Sequence, residues 1–154
     1  MKLVLTWSSA GSQSGLTLTA ENSSCDKIRF VDAKKVIKQL KVEYPGKKII
    51  ADPEDNPTEI IVEIEPTKEH PERSLALAVV GRSKPHYHKE STEIYETVKG
   101  RLKLYINGKK YVLEKGEKMT IKPNRIHHTE GEEAWFLTYS NPGWAFEDHI
   151  VVKE

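Results

Sequence analysis

From residue 47 to the end of the chain, apolar and polar residues tend to alternate with a period of two. This period is typical of strands that bury one face. In the segment TEIIVEIEP, Ile60, Val62 and Ile64 share one face, and the glutamates fall mostly on the other. The following segment, SLALAVVG at residues 74–81, is apolar on both faces. It predicts a strand that is buried from both sides.

The same alternation continues after Gly100. The segments RLKLYI and KKYVL flank the pair Asn107-Gly108, which is typical of a type I′ hairpin turn. The segment KMTIK directs Met119 and Ile121 inward, and EGEE at residues 130–133 predicts a turn. AWFLTYS and EDHIVV then predict two further strands. Short strands that are separated by frequent turns indicate an all-β sandwich or barrel.

One segment before residue 47 has a helical period instead. Val36, Ile37 and Leu40 form an apolar stripe, and lysines cover the opposite face. Asp32 is a good N-cap residue for this segment. The pattern predicts one helix near residues 32–44, which we expect to lie against the outside of the barrel.

The first residues have the composition of a loop or a loosely held arm. Residues 1–24 are rich in Ser, Gly and Thr, and the segment LTLT at residues 16–19 is a marginal strand. Two interpretations are open, a peripheral extension and an arm that swaps across a dimer. The chain therefore divides into an N-terminal arm and helix at residues 1–46 and a β-barrel at residues 47–154, in one domain overall.

Composition narrows the functional classes. The chain has 154 residues, a formal net charge of +1 and 31% charged residues of balanced sign, which argues against a nucleic-acid surface. Its one cysteine, Cys25, excludes an intrachain disulfide. No apolar run has the length of a membrane span or of a secretory signal. We expect a cytoplasmic protein that contacts neither nucleic acid nor membrane.

The candidate chemistry lies in the segment PHYHKESTEIYETVKG. His86 and His88 are two positions apart on a predicted strand, so both imidazoles point to the same face. Glu93 follows a short polar turn and can face back towards them, and His127 is a fourth candidate further along the chain. Three histidines and one carboxylate suit a borderline divalent metal ion, such as Mn, Fe, Ni, Cu or Zn.

The spacing of these residues resembles the first motif of the cupins. That motif has a glycine, a short spacer, H-x-H, three or four residues, a glutamate, six residues and a glycine. Here Gly81 is followed by four residues, then His86 and His88, four residues, Glu93, six residues and Gly100. The spacer after Gly81 is one residue shorter than is usual in the family.

The second cupin motif resembles the stretch from Gly116 to His127. Gly116 is followed by five residues, a turn at Lys122, Pro123 and Asn124, two residues and His127. Lys122 occupies the position of the usual proline. Asn124 replaces the usual turn glycine, and asparagine accepts a positive φ better than most residues. The resemblance implies a double-stranded β-helix, or jelly-roll barrel, with one metal ion at His86, His88, Glu93 and His127.

Several other residues are candidates for contacting a substrate. Tyr95 shares a strand face with Glu93, and Trp135 and Tyr139 share one face of the strand after the second motif. Each of these three can instead belong to the core. Arg125 flanks the ligand segments together with three lysines, and this charge would favour an anionic ligand. The lysines are Lys84, Lys89 and Lys122.

The remaining histidines are interpreted as non-ligands. His70 precedes a proline in a solvated loop, and His128 faces the opposite way from its neighbour His127 on an extended strand. His149 lies in an acidic, polar turn near the end of the sequence.

Three functions remain open. The resemblance to phosphomannose isomerase-like cupins implies a metal-dependent enzyme for a small polar or anionic metabolite. However, residues 89–95 lack the Arg-Glu-His-Trp block of that group. The alternatives are an iron-dependent dioxygenase and a non-enzymatic protein that binds a metal or a small ligand. Small cupins commonly pair, and the apolar face of TEIIVEIE needs cover, so we also expect a homodimer.

Overall fold

The computed structural model describes residues 31–153, and the predicted arm with its marginal strand lies outside them. The division of the chain at residue 46 therefore stays a prediction. The one α-helix and ten strands of the described part are α1 (Ala33–Glu43), β1 (Ile49–Asp52), β2 (Glu59–Glu65), β3 (Ser74–Arg82), β4 (His86–His88), β5 (Thr92–Lys99), β6 (Leu102–Ile106), β7 (Lys109–Leu113), β8 (Lys118–Ile121), β9 (His127–Asn141) and β10 (His149–Val151). A 3₁₀ turn at Phe146–Asp148 precedes β10.

The strands form a curled antiparallel sheet in which β9 is the longest member. One path through the sheet runs β1-β2-β3-β9-β4-β10. β9 also pairs with β5 and β6, which in turn pair with β8 and β7. The first part of β9 pairs mainly with β4 and β6, and its second part pairs with β3 and β5, so β9 joins the two halves of the sheet. The curled sheet confirms the predicted all-β jelly-roll barrel, with α1 on its outside.

The tight turns are formed by the residues that the sequence indicated. Asn107 and Gly108 have φ values of 49° and 79°, which confirms the type I′ turn between β6 and β7. Asn124 has a φ of 59°, so asparagine does take the place of the turn glycine before β9. This turn leads directly to His127.

Two apolar clusters lie on opposite faces of the sheet. The barrel interior contains, among others, Tyr95, Leu104 and Phe136. The outer cluster packs beneath α1 and combines Val36 and Leu40 with residues of β2, β3 and β9, namely Ile60, Val62, Leu77, Val79 and Trp135. The apolar face of β2, which suggested a dimer, is thus covered by the helix of the same chain.

The predicted turn at residues 130–133 is wrong, because β9 continues through it. The strand is irregular there instead: its register against β3 shifts, and Glu133 has a φ of 55°. Thr129 and Ala134 both face the interior although they are five positions apart, whereas a regular strand alternates. The irregularity therefore exchanges the inward and outward faces along β9.

Candidate metal centre

Four buried side chains from three strands converge at one end of the barrel. His86 and His88 lie on β4, Glu93 lies on β5 and His127 lies on β9. One ligand atom from each side chain lies within 4.8 Å of those of the other three. His86 pairs directly with His127 across the β4–β9 ladder, which places their rings side by side. The four residues that the sequence predicted do come together.

The backbone orients two of the imidazoles. The Nδ1 atom of His86 is 2.9 Å from the carbonyl oxygen of Lys84, and that of His127 is 2.8 Å from the carbonyl oxygen of Arg125. A carbonyl oxygen only accepts, so each Nδ1 carries the proton and donates it. Each Nε2 then keeps its lone pair for the centre of the cluster.

His88 lacks such an anchor. Both of its ring nitrogens are buried without a hydrogen-bond partner. Its Nε2 lies 3.4 Å from Oε2 of Glu93, and its Nδ1 lies 3.5 Å from Oδ2 of Asp148. Burial lowers the pKa of His88, but the two carboxylates outweigh burial and raise it. Burying an imidazole without a hydrogen-bond partner costs free energy. A metal ion bound by this ring would supply the missing partner.

The carboxylate of Glu93 is held from several sides. Its Oε2 accepts from the hydroxyl of Tyr95 at 3.1 Å, and its Oε1 accepts from the hydroxyl of Ser140 at 3.2 Å. Burial opposes ionisation, but the neighbouring imidazoles of His127 and His88 keep the pKa of Glu93 well below its usual value. Three imidazoles and one ionised carboxylate, all facing one point, form a donor set that fits a borderline divalent ion.

Comparison with known proteins agrees with this arrangement. A family profile described as a cupin domain matches residues 75–136, which include all four residues. A cupin-2 domain from Rhodospirillum rubrum superposes with a TM-score of 0.60 at 16% identity, over 72% of this chain and 78% of that one. Residues 75–136 thus match the cupin-domain family, and the described part of the chain has the cupin fold.

Two further solved structures share the cupin fold. The first is a variant of PAC13 from Streptomyces with uridine, at a TM-score of 0.57 and 17% identity, over 62% of this cupin and 79% of that chain. Another structure of Pac13 describes it as a nucleoside dehydratase. The second is KdgF from Halomonas, at a TM-score of 0.54 and 13% identity, over 75% and 95% of the two chains. No curated protein sequence matches this cupin.

The last strand brings two side chains to the cluster that the sequence did not assign to it. β10 pairs with β4 so that His149 lies opposite His88. The ring of His149 stacks on that of His86, with centroids 4.2 Å apart, and the indole N–H of Trp144 donates to its Nδ1 at 3.3 Å. Burial and the charge of His88 lower the pKa of His149 to about 4. Only the long-range β4–β10 pairing creates this contact.

Asp148, the last residue of the 3₁₀ turn before β10, is the other side chain. Its carboxylate accepts from the backbone N–H groups of Lys89 and Glu90 at 2.8 and 2.9 Å and from that of Ser91 at 3.1 Å. These bonds hold the turn between His88 and Glu93 in place. Burial works against ionisation, but these hydrogen bonds lower the pKa of Asp148.

The predicted substrate residues are distributed over both faces of the barrel. Tyr95 is buried in the interior beside Glu93. Trp135 belongs to the outer cluster under α1, and the hydroxyl of Tyr139 donates to the outward-facing Glu96 at 3.0 Å. The structure thus does not bring these two aromatic residues to the four-residue cluster. The irregularity of β9 is the reason, since both would share the face of His127 on a regular strand.

Arg125 and the remaining histidines lie outside the cluster. Arg125 is exposed, and its contribution is the carbonyl oxygen that anchors His127. His128 faces outward and stacks on Tyr105, with ring centroids 4.5 Å apart, while His70 is exposed. Within residues 31–153, no helix has the length and apolar character needed to cross a membrane.

Proposed function

We propose that this cupin binds one divalent metal ion through His86, His88, Glu93 and His127. We further propose that it acts on a small polar or anionic metabolite in an isomerase-like reaction. The observation that carries the proposal is the buried, unpartnered ring of His88 beside an ionised Glu93. The donor set is complete, and two of its imidazoles are already oriented by backbone carbonyls.

The chemistry of the site follows from the donors. When bound, the ion would polarise a carbonyl or hydroxyl oxygen of the ligand. His86, His88, Glu93 and His127 would hold the ion, and coordination positions that they do not fill would be open to such a ligand. The chain itself holds the donors in position: Tyr95 and Ser140 hold Glu93, and Asp148 lies behind His88.

Two observations bear on the class of ligand. A pocket of about 330 Å³ beside the segment that leads into His86 is lined in part by Arg82 and Lys84, and none of the four cluster residues lines it. Lys84 is already paired with Asp52 at 2.8 Å, which reduces its pull on an anion. Pac13, the uridine-bound neighbour, acts on a nucleoside, which is also a small polar ligand.

The homodimer and the cytoplasmic location also remain proposals. The apolar face of β2 no longer argues for a dimer, because α1 covers it. In the described part of the chain, the large apolar strand residues that remain exposed are Ile94, Val112 and Val151. A second copy can cover such residues.

The first prediction concerns metal content. We expect protein that is purified without added metal to contain close to one ion per chain, and His88→Ala to lose most of it, because a third of the nitrogen donors is removed. Elemental analysis measures both quantities. Iron would favour the dioxygenase, whereas Mn, Zn or Ni would favour the isomerase or a binding protein.

His70→Ala is the matched control, since His70 is an exposed histidine that does not belong to the four-residue cluster. His149→Ala is unsuitable as a control because its ring stacks on that of His86. Full metal occupancy in His88→Ala, or an equal loss in His70→Ala, would contradict the ligand assignment.

A further inference from the structure

The ring of His149 borders the four-residue cluster on its most exposed side. Among the four proposed donors, His86 has the largest exposed fraction, 8%, and the ring of His149 stacks on it with centroids 4.2 Å apart. The same ring lies 5.2 Å from that of His88, again between centroids. His149 is only partly buried. Its side chain therefore lies at the solvent-facing edge of the cluster.

A hydrogen bond from Trp144 determines where the His149 ring carries its proton. An indole N–H can only donate, and that of Trp144 donates to Nδ1 of His149 at 3.3 Å. Nδ1 must then keep its lone pair, so the neutral ring carries its proton on Nε2. Trp144 is itself fixed, because its backbone N–H donates to the hydroxyl of Ser74 at 2.9 Å and its carbonyl oxygen accepts from the hydroxyl of Thr67 at 2.7 Å. The fold thus presents His149 as a donor at Nε2.

This donor has no acceptor in the described part of the chain. Between residues 31 and 153, the hydrogen bond from Trp144 is the only one that the side chain of His149 forms. Both ring nitrogens of His88 are fully buried, whereas the partly exposed ring of His149 leaves Nε2 accessible. The edge of the cluster therefore carries an N–H group that a bound molecule can use.

Open space lies at the end of the two strands that carry these rings. The pocket of about 330 Å³ is lined by Pro85, which precedes β4, and by Val151, which ends β10. Val151 pairs with His86 across the ladder and lies two positions from His149, so the three residues share one face. The strand face that carries the two rings thus borders space that a small molecule can enter.

We propose that His149 is a ligand-binding residue of the metal site, and that its Nε2–H donates to an acceptor oxygen of a small carbonyl or carboxylate compound held at the four-residue cluster. This inference rests on the proposed function and narrows its ligand to a compound that presents such an oxygen beside the atom bound by the ion. A ligand without the acceptor would leave the donor unpaired, which lowers its affinity. Trp144 is a positioning residue, because it acts through Nδ1 of His149.

The tautomer of His149 is tested first, in the metal-free protein. The ¹⁵N chemical shifts of the ring nitrogens distinguish an N–H group from a nitrogen with a lone pair. The spectrum of His149→Gln identifies the signals that belong to this residue. At pH 7.5 we expect the proton on Nε2 and the lone pair on Nδ1. A proton on Nδ1 would overturn the proposal, whatever metal the protein binds.

The ligand contact is tested with a probe at the metal ion. The protein is loaded with Co²⁺, whose visible absorption changes when a ligand enters its coordination shell, and titrated with acetohydroxamate, which binds metal ions through oxygen atoms that also accept hydrogen bonds. His149→Phe keeps a flat ring beside His86 but removes the donor, and we expect roughly tenfold weaker binding of the probe. His149→Gln loses the ring but keeps an N–H donor, and its affinity should stay within about threefold of the wild type.

Two controls accompany the titration. His128→Phe is the matched control variant, since His128 also stacks on an aromatic ring, that of Tyr105 at 4.5 Å between centroids, but faces outward. It should bind the hydroxamate as the wild type does. 1-Methylimidazole, which binds through its one basic nitrogen and has no acceptor left, should bind the wild type and His149→Phe equally. Cobalt content is measured in each variant, so affinities are compared per bound ion.

The two substitutions at His149 separate donation from stacking. Wild-type affinity for the hydroxamate in His149→Phe, or equal losses in His149→Phe and His149→Gln, would overturn the role of Nε2–H and leave the metal site intact. So would a cobalt-loaded wild type that binds no hydroxamate. A wild-type protein that takes up no Co²⁺ would overturn the proposed function, and the ligand contact of His149 with it.

Discussion

The pH dependence of stability depends on single residues in and near the four-residue cluster. Burial, together with the neighbouring rings of His127 and His149, lowers the pKa of His86 to about 3. The pKa of an unfolded histidine is near 6.5. As the pH falls, the unfolded chain therefore binds a proton at His86 before the folded chain does. The contribution of His86 to stability is therefore complete above pH 6.5 and is lost as the pH falls towards 3. Glu59, whose pKa is raised, acts in the opposite direction: its contribution is present below pH 4.5 and is lost as the pH rises towards 7.

A comparison of variants isolates the contribution of His86. For the metal-free protein, we expect the difference in the free energy of unfolding between the wild type and His86→Gln to shrink as the pH falls from 6.5 to 5. The expected slope is roughly 1.4 kcal/mol per pH unit. Urea denaturation at several pH values, in the presence of a chelator, measures it. A difference that stays constant over this range would show that His86 titrates normally in the folded state.

At the scale of elements, α1 closes the outer cluster. Asp32 caps the helix by accepting from the N–H of Lys35 at 3.2 Å, and the carboxylate of Glu133 accepts from the N–H of Asp32 at 3.2 Å. Glu133 is also the residue with positive φ at the irregularity of β9. The start of the helix and the point where β9 changes faces are therefore linked directly.

The packing of α1 leads to a stability prediction. Leu40 of α1 is fully buried between the helix and the sheet. Leu40→Ala should lower the free energy of unfolding by about 2–5 kcal/mol, because it leaves a cavity. Val42 lies on the same helix and is 76% exposed, so Val42→Ala should change it by about 0.5 kcal/mol or less. Urea denaturation of both variants gives the comparison. Similar losses in the two variants would mean that α1 is not docked on the sheet as described.

For the whole molecule, the prediction that remains open is the homodimer. Light scattering at micromolar concentration should give twice the mass of one chain if a second copy covers the exposed strand residues. Val112→Glu places a charge on one such residue, and should weaken the dimer without disturbing the interior, because Val112 is 46% exposed. A wild-type mass equal to that of one chain would contradict the homodimer.

The four proposed metal donors were predictable because they depend on short-range rules. Two histidines two positions apart on a strand must share a face, and Glu93 follows a turn of a few residues. The helix and the Asn107-Gly108 turn follow from equally local preferences. The family resemblance supplied the remaining element, the convergence of His127 on the other three.

Tertiary structure alone decided which face of each strand points inward and which distant segments meet. Trp135 and Tyr139 turn outward because an irregular stretch around Glu133 exchanges the faces of β9, and no local pattern in the sequence marks that exchange. His149 reaches the cluster only through the pairing of the last strand with β4. Glu59 resembles any solvent-facing glutamate of an alternating strand until the helix covers the apolar face and directs the polar one into the barrel. Alternation along a strand gives two faces, and only long-range packing determines which of them is buried.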